Sequence, residues 1–127
     1  MNFKLVRDKL LELETSRIFS VRKSATIYKD EKDAIWFGDS RVVRKGDTYH
    51  LSNPALDLEL EWDSKTQDIR KIVVEGREFE IDKDDVVQMA FFNSFKYFLK
   101  TIQNEAEALL DAYGRYLKKT EEVSSSK

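Results

Sequence analysis

The chain of 127 residues contains no cysteine. That removes disulfides, thiolate metal sites and thiol nucleophiles together. Its only histidine, His50, has no second imidazole or thiol with which to share a metal, and the sequence offers it no catalytic triad. No apolar run approaches the ~20 residues of a membrane span. The N-terminus reads as an amphipathic helix rather than a signal peptide, so a cytoplasmic location is expected. A glycine-rich phosphate loop is missing too: GDSRVVRKG at 38–46 has neither the P-loop nor the dinucleotide spacing. With one proline and four glycines, few long loops are expected. No catalytic signature remains, and a non-enzymatic protein without cofactor or metal is the expectation.

What is present is charge and aromatic surface. Charged residues make up 36% and aromatics 12%, which suits one folded domain over residues 1–122 with a flexible tail at 123–127. The net charge of −2 is unevenly spread: +3 over residues 17–50 and −6 over 51–89. An overall acidic balance therefore leaves room for an anionic partner at one place on the surface.

The periodicities predict an α+β fold: an N-terminal helix over 1–15, an antiparallel meander of about seven strands over 17–81, and a long helix or helix pair over 83–119. Phe3, Val6, Leu10 and Leu13 stand at helical spacing behind an Asn2 cap. Leu58, Leu60 and Trp62 alternate with Glu59 and Glu61, the pattern of a half-buried strand. Gly38-Asp39, Gly46-Asp47 and Glu75-Gly76 mark hairpin turns. Asp82 is expected to cap the final helix, with Asp85 completing a capping box. An unbroken helix over 83–119 would run ~55 Å, against ~35 Å for a compact domain of this size. Asn104 with Glu107 offers a second capping box, so a break near Gln103-Asn104 is favoured. If the helix continues, Leu109, Tyr113, Tyr116 and Leu117 need a partner, most simply a second copy of the chain.

Hairpin register assigns the sheet faces. Two-residue turns at 38–39 and 46–47 oppose Trp36 to Arg41 and Val43 to His50, and a four-residue loop Asp30–Asp33 would oppose Ile27 to Trp36. The core face then holds Tyr28, Ile35, Phe37, Val42, Tyr49 and Leu51, with Phe19 and Val21 from the first strand. The outer face holds Arg22, Lys29, Arg41 and Lys45 around Trp36 and His50, with no carboxylate. Cations framing aromatic rings on a sheet suit single-stranded nucleic acid, DNA or RNA: bases stack on the rings and Lys and Arg follow the phosphates. Arg44, Tyr28 and Tyr49 are expected to contribute at the rim. Four phosphate contacts would give a salt slope of roughly −3.

The bland alternative is an ordinary polar outer face, or a second packed layer with Trp36 beneath the first helix. Two other functions fit the sequence. One is a protein-interaction or inhibitor module using the acidic strip Asp57, Glu59, Glu61 and the C-terminal helix. The other is a binder of a small anionic ligand between the sheet and that helix. Trp36 decides most: exposed, it serves binding; buried, it is core.

Overall fold

The computed structural model describes residues 2–15 and 27–125, with side chains described over 2–15 and 28–112. The expected strand at 17–22, with Phe19, Val21 and Arg22, lies outside the described residues. Helix α1 spans Phe3–Thr15. Seven strands follow in the order β1 (Ile27–Lys29), β2 (Ile35–Phe37), β3 (Ser40–Lys45), β4 (Thr48–Asn53), β5 (Leu58–Asp63), β6 (Ile69–Val74) and β7 (Arg77–Glu78). They form one antiparallel meander in which each strand pairs only with its sequence neighbours. Helix α2 closes the chain over Val86–Ser125. Among the described residues no helix is long and apolar enough to cross a membrane.

Local chemistry explains most of these boundaries. Asn2 caps α1 by accepting the Leu5 N–H at 3.0 Å. Gly38 and Gly46 take positive φ at the first turn position, and Glu75-Gly76 takes it at both, the backbone that tight hairpins need. The register across Gly38-Asp39 and Gly46-Asp47 is the expected one: Trp36 faces Arg41, and Val43 faces His50.

The inner face of the sheet and both helices share one core. Ile35, Phe37, Val42, Tyr49, Leu51, Leu58, Leu60, Trp62, Ile72 and Val74 meet Val6, Leu10 and Leu13 of α1 and Phe92, Phe95, Leu99 and Ile102 of α2. Phe3 joins them by edge contacts with Phe91 and Phe92 at 5.8 and 5.7 Å. The first helix is therefore on the inner side of the sheet. It does not cover Trp36.

Three expectations are corrected. Between β1 and β2, Lys29 faces Ile35 and Tyr28 faces Trp36, one residue away from the predicted pairing. Asp33 adopts φ 62°, and the Asp30 carboxylate accepts the N–H groups of Lys32 and Ala34. Ala34 is thereby drawn into a five-residue connection, and Tyr28 and Lys29 exchange faces. At the start of α2 the cap is Asp85, whose Oδ1 accepts the N–H groups of Val87 and Gln88. Asp82 instead shapes the preceding turn by accepting the Asp84 N–H. Val86 and Val87, the first two residues of α2, are 80% and 69% exposed. Finally, α2 does not break at Gln103-Asn104. Its 40 residues run about 60 Å.

Candidate functional site

The outer face of β1–β4 is built around Trp36. Tyr28 lies across from it with the two rings nearly parallel, 5° apart in tilt and 6.1 Å between centroids. Tyr28 is 51% exposed and Trp36 half-buried. The Trp36 indole Nε1 donates to Asp30 Oδ2 at 2.9 Å, and Arg41 Nε stands 3.5 Å from the same oxygen. The Trp36 hydrogen bond is the main reason the Asp30 carboxyl is held at about 2; the N–H groups of Lys32 and Ala34 and the Arg41 charge assist, against some desolvation. Asp30 thus fixes the orientation of the Trp36 ring and offsets the charge of Arg41.

The nine residues expected at a nucleic-acid face are only partly brought together. Tyr28, Trp36, Arg41, Lys45 and His50 share the outer face through the observed register. Lys29 is carried to the inner side and pairs with Asp33 at 2.8 Å. Arg44 and Tyr49 belong to the inner side as well. Tyr49 is 2% exposed and donates its hydroxyl to Glu107 Oε1 of α2 at 2.7 Å. Arg44 approaches the same oxygen at 3.4 Å. Burial, then Glu107, push the Tyr49 hydroxyl well above its usual range. That pair locks the sheet to the helix and leaves Tyr49 no free ring for stacking. Arg22 lies outside the described residues.

A carboxylate-free outer face is also overturned. Besides Asp30, the face receives Glu59 and Glu61, because β5 pairs beside β4 and sets Glu61 opposite His50. His50 Nδ1 lies 3.1 Å from Glu61 and Nε2 lies 3.5 Å from Glu59. Hairpin register over β1–β4 alone does not bring in this acidic neighbour, which comes from β5. The outer face is therefore split, with aromatic and basic groups on β1–β3, acids on β5, and His50 at the boundary.

A second concave region, of about 1120 Å³, opens between the β6–β7 end of the sheet and the first turns of α2. Phe79 and Phe92 are buried at its floor, and Ile69, Ile81 and Met89 line it half-buried. This is where the sequence allowed a ligand cavity between sheet and helix. Two of its cations are already engaged: Arg70 with Asp63, and Lys96 with Asp68 at 2.7 Å.

Of the oligomer residues, Leu109 is partly buried against the core. Tyr113, Tyr116 and Leu117 lie outside the residues whose side chains are described.

Compared with known proteins, the chain matches no protein-family model, no curated protein and no solved structure.

Proposed function

We propose that the chain is a non-enzymatic binding protein for single-stranded nucleic acid, which it engages on the β1–β3 part of the outer sheet face. The observation that supports this is the Tyr28–Trp36 pair: two parallel rings on the outer face, the outer one half exposed, beside Arg41. An aromatic ring kept in water on a sheet has little packing reason to be there, whereas a base stacked on it gains ~1–3 kcal/mol. Trp36 is held in place by Asp30 before any ligand arrives, so little ordering cost falls on binding. Among the described residues, Arg41, beside Asp30, and Lys45 are the cations on this part of the face. Two phosphate contacts give a salt slope of roughly −1.5, shallower than the value expected from the sequence.

Titration of a fluorescent single-stranded 20-mer at about 50 mM salt checks the reading, since electrostatic contacts hold best at low ionic strength. Tyr28→Ala removes an exposed ring without opening the core, and should weaken binding about 10- to 100-fold at nearly unchanged melting temperature. A parent protein that does not bind, or a Tyr28→Ala variant that binds as tightly, overturns it. Matched DNA and RNA oligomers decide which is preferred.

We further propose a homodimer through the far end of α2. Supporting it, the helix continues for 19 residues past Ala106, its last fully buried apolar position, and the sequence there places Leu109, Tyr113, Tyr116 and Leu117 at helical spacing. Sedimentation should give twice the monomer mass, and Tyr116→Lys/Leu117→Lys should return the monomer. A monomeric parent at about 100 μM sinks this, as concentrations far above a typical micromolar Kd would populate a dimer.

A further inference from the structure

The cleft beside α2 has a geometric origin. Strand β7 is only two residues long and pairs with β6 at Val73 and Val74. After the Phe79 N–H reaches the Ile72 carbonyl, at 2.8 Å, the chain leaves the sheet and crosses to α2. Residues 69–71 of β6 then have β5 on one side and, among the described residues, no strand on the other. The departing chain forms one wall and α2 the opposite one. On α2, Met89, Asn93 and Lys96 face this space. Phe92 stands three residues after Met89 on the same helical stripe and is buried at the floor.

The charges in the cleft are not equivalent. Asp63 is satisfied first by the Thr66 and Lys65 N–H groups and then by Arg70, and Asp68 first by Lys96; both carboxyls are held below their usual range. Those groups are closed to a ligand unless an ion pair is broken. Glu78, Glu80 and Lys83 also line the space, and among the described residues they form no ion pair. Two free carboxylates against one ammonium favour a cationic ligand over an anionic one. A compact small molecule usually sits in ~300–1,000 Å³. A larger, partly open cleft with apolar floor and charged wall running alongside one another fits a chain that carries both kinds of side chain.

From this we infer that the cleft is a docking site for a polypeptide segment in which basic and apolar residues alternate, the apolar ones seated on Ile69, Ile81, Met89 and Phe92 and the basic ones on Glu78 and Glu80. This site is separate from the outer face proposed for nucleic acid, and neither depends on the other.

Fluorescence anisotropy with three labelled hexapeptides tests it: alternating lysine and leucine, lysine and glutamine, and glutamate and leucine. The lysine–leucine peptide should bind at least about tenfold more tightly than the other two. Asn93→Trp, which fills the cleft from an exposed helix position, and the double reversal Glu78→Lys/Glu80→Lys should each weaken it about tenfold or more. The reversal Glu59→Lys/Glu61→Lys makes the same change in net charge on the outer sheet face, and should leave binding within about twofold. No binding of the lysine–leucine peptide overturns the inference. So does equal binding of lysine–glutamine, which would mean charge alone, tighter binding of glutamate–leucine, or equal loss from the Glu59/Glu61 reversal.

Discussion

Phe95→Ala should lower stability by about 3–5 kcal/mol, the range for emptying a large aromatic site in a core. Phe95 is 1% exposed. Its ring lies 5.9 Å from Phe91 and 5.2 Å from Phe98, so the substitution also removes two aromatic contacts along α2. Neighbouring rings cannot close the gap without leaving their own contacts, which is why the cost exceeds simple transfer. For a chain of this length ~1 kcal/mol corresponds to ~3–5 °C in melting temperature, so the expected fall is ~10–20 °C. Tyr97→Ala is the control. It lies two residues further on, 83% exposed on the opposite side of the same helix, and should stay within ~0.5 kcal/mol of the parent. Thermal unfolding of the two variants side by side measures the difference. A Phe95→Ala cost near that of Tyr97→Ala would mean that α2 is not anchored to the sheet through this face.

Much of this fold was legible because period-2 and period-3.6 patterns report burial directly. Leu58, Leu60 and Trp62 alternate with acids and are buried; Val6, Leu10 and Leu13 stand on one helical stripe and are fully buried. Turns carried by glycine were equally legible, since positive φ at Gly38 and Gly46 fixes loop length and hence register. What escaped was set by side chains bonding to backbone or to distant elements. Asp tolerates a left-handed conformation better than most residues, but nothing in the sequence says that Asp33 adopts it, and that one φ moves Tyr28 outward and Lys29 inward. Likewise Glu107 reads as a solvent-facing helix residue until Tyr49 and Arg44 arrive from 58 and 63 positions away in sequence. One signal was available for Asp30: an Asx residue opening a short polar connection commonly captures the N–H groups ahead of it.

The candidate face was therefore half legible. Adding Tyr28 to Trp36 increases the aromatic surface, while Asp30, Glu59 and Glu61 reduce its positive charge. These changes pull a nucleic-acid ligand in opposite directions. Stacking is strengthened and phosphate tracking weakened, so the Tyr28→Ala loss and the shallow salt slope should be observed together. Steep salt dependence with no effect of Tyr28→Ala would point to cations elsewhere on the surface.

The unbroken helix is best tested at Gln103, where a break was expected. Gln103 is 2% exposed and bridges two elements. Its Oε1 accepts the Trp62 Nε1–H at 3.0 Å, and its Nε2 donates to the Ser64 carbonyl at 2.7 Å. A helix end at 103–104 would pull this amide away and leave a buried indole N–H unpaired, a cost of ~1–3 kcal/mol that a new cap at Asn104 would do little more than match. Glu107, the other half of the expected capping box, is already engaged by Tyr49. Gln103→Leu should accordingly cost ~1–3 kcal/mol, nearly all of it from the orphaned Trp62 N–H. The Ser64 carbonyl keeps a second donor, Gln67 Nε2 at 2.8 Å. Trp62→Phe removes the donor from the other side and leaves Gln103 Oε1 without its partner. The double variant Gln103→Leu/Trp62→Phe removes both polar groups together, so it should be more stable than the sum of the single losses by ~1–2 kcal/mol. Urea unfolding of the four proteins closes the cycle. Additivity within ~0.5 kcal/mol would mean the bridge contributes nothing specific, and the continuity of α2 would then have to rest on its apolar stripe alone.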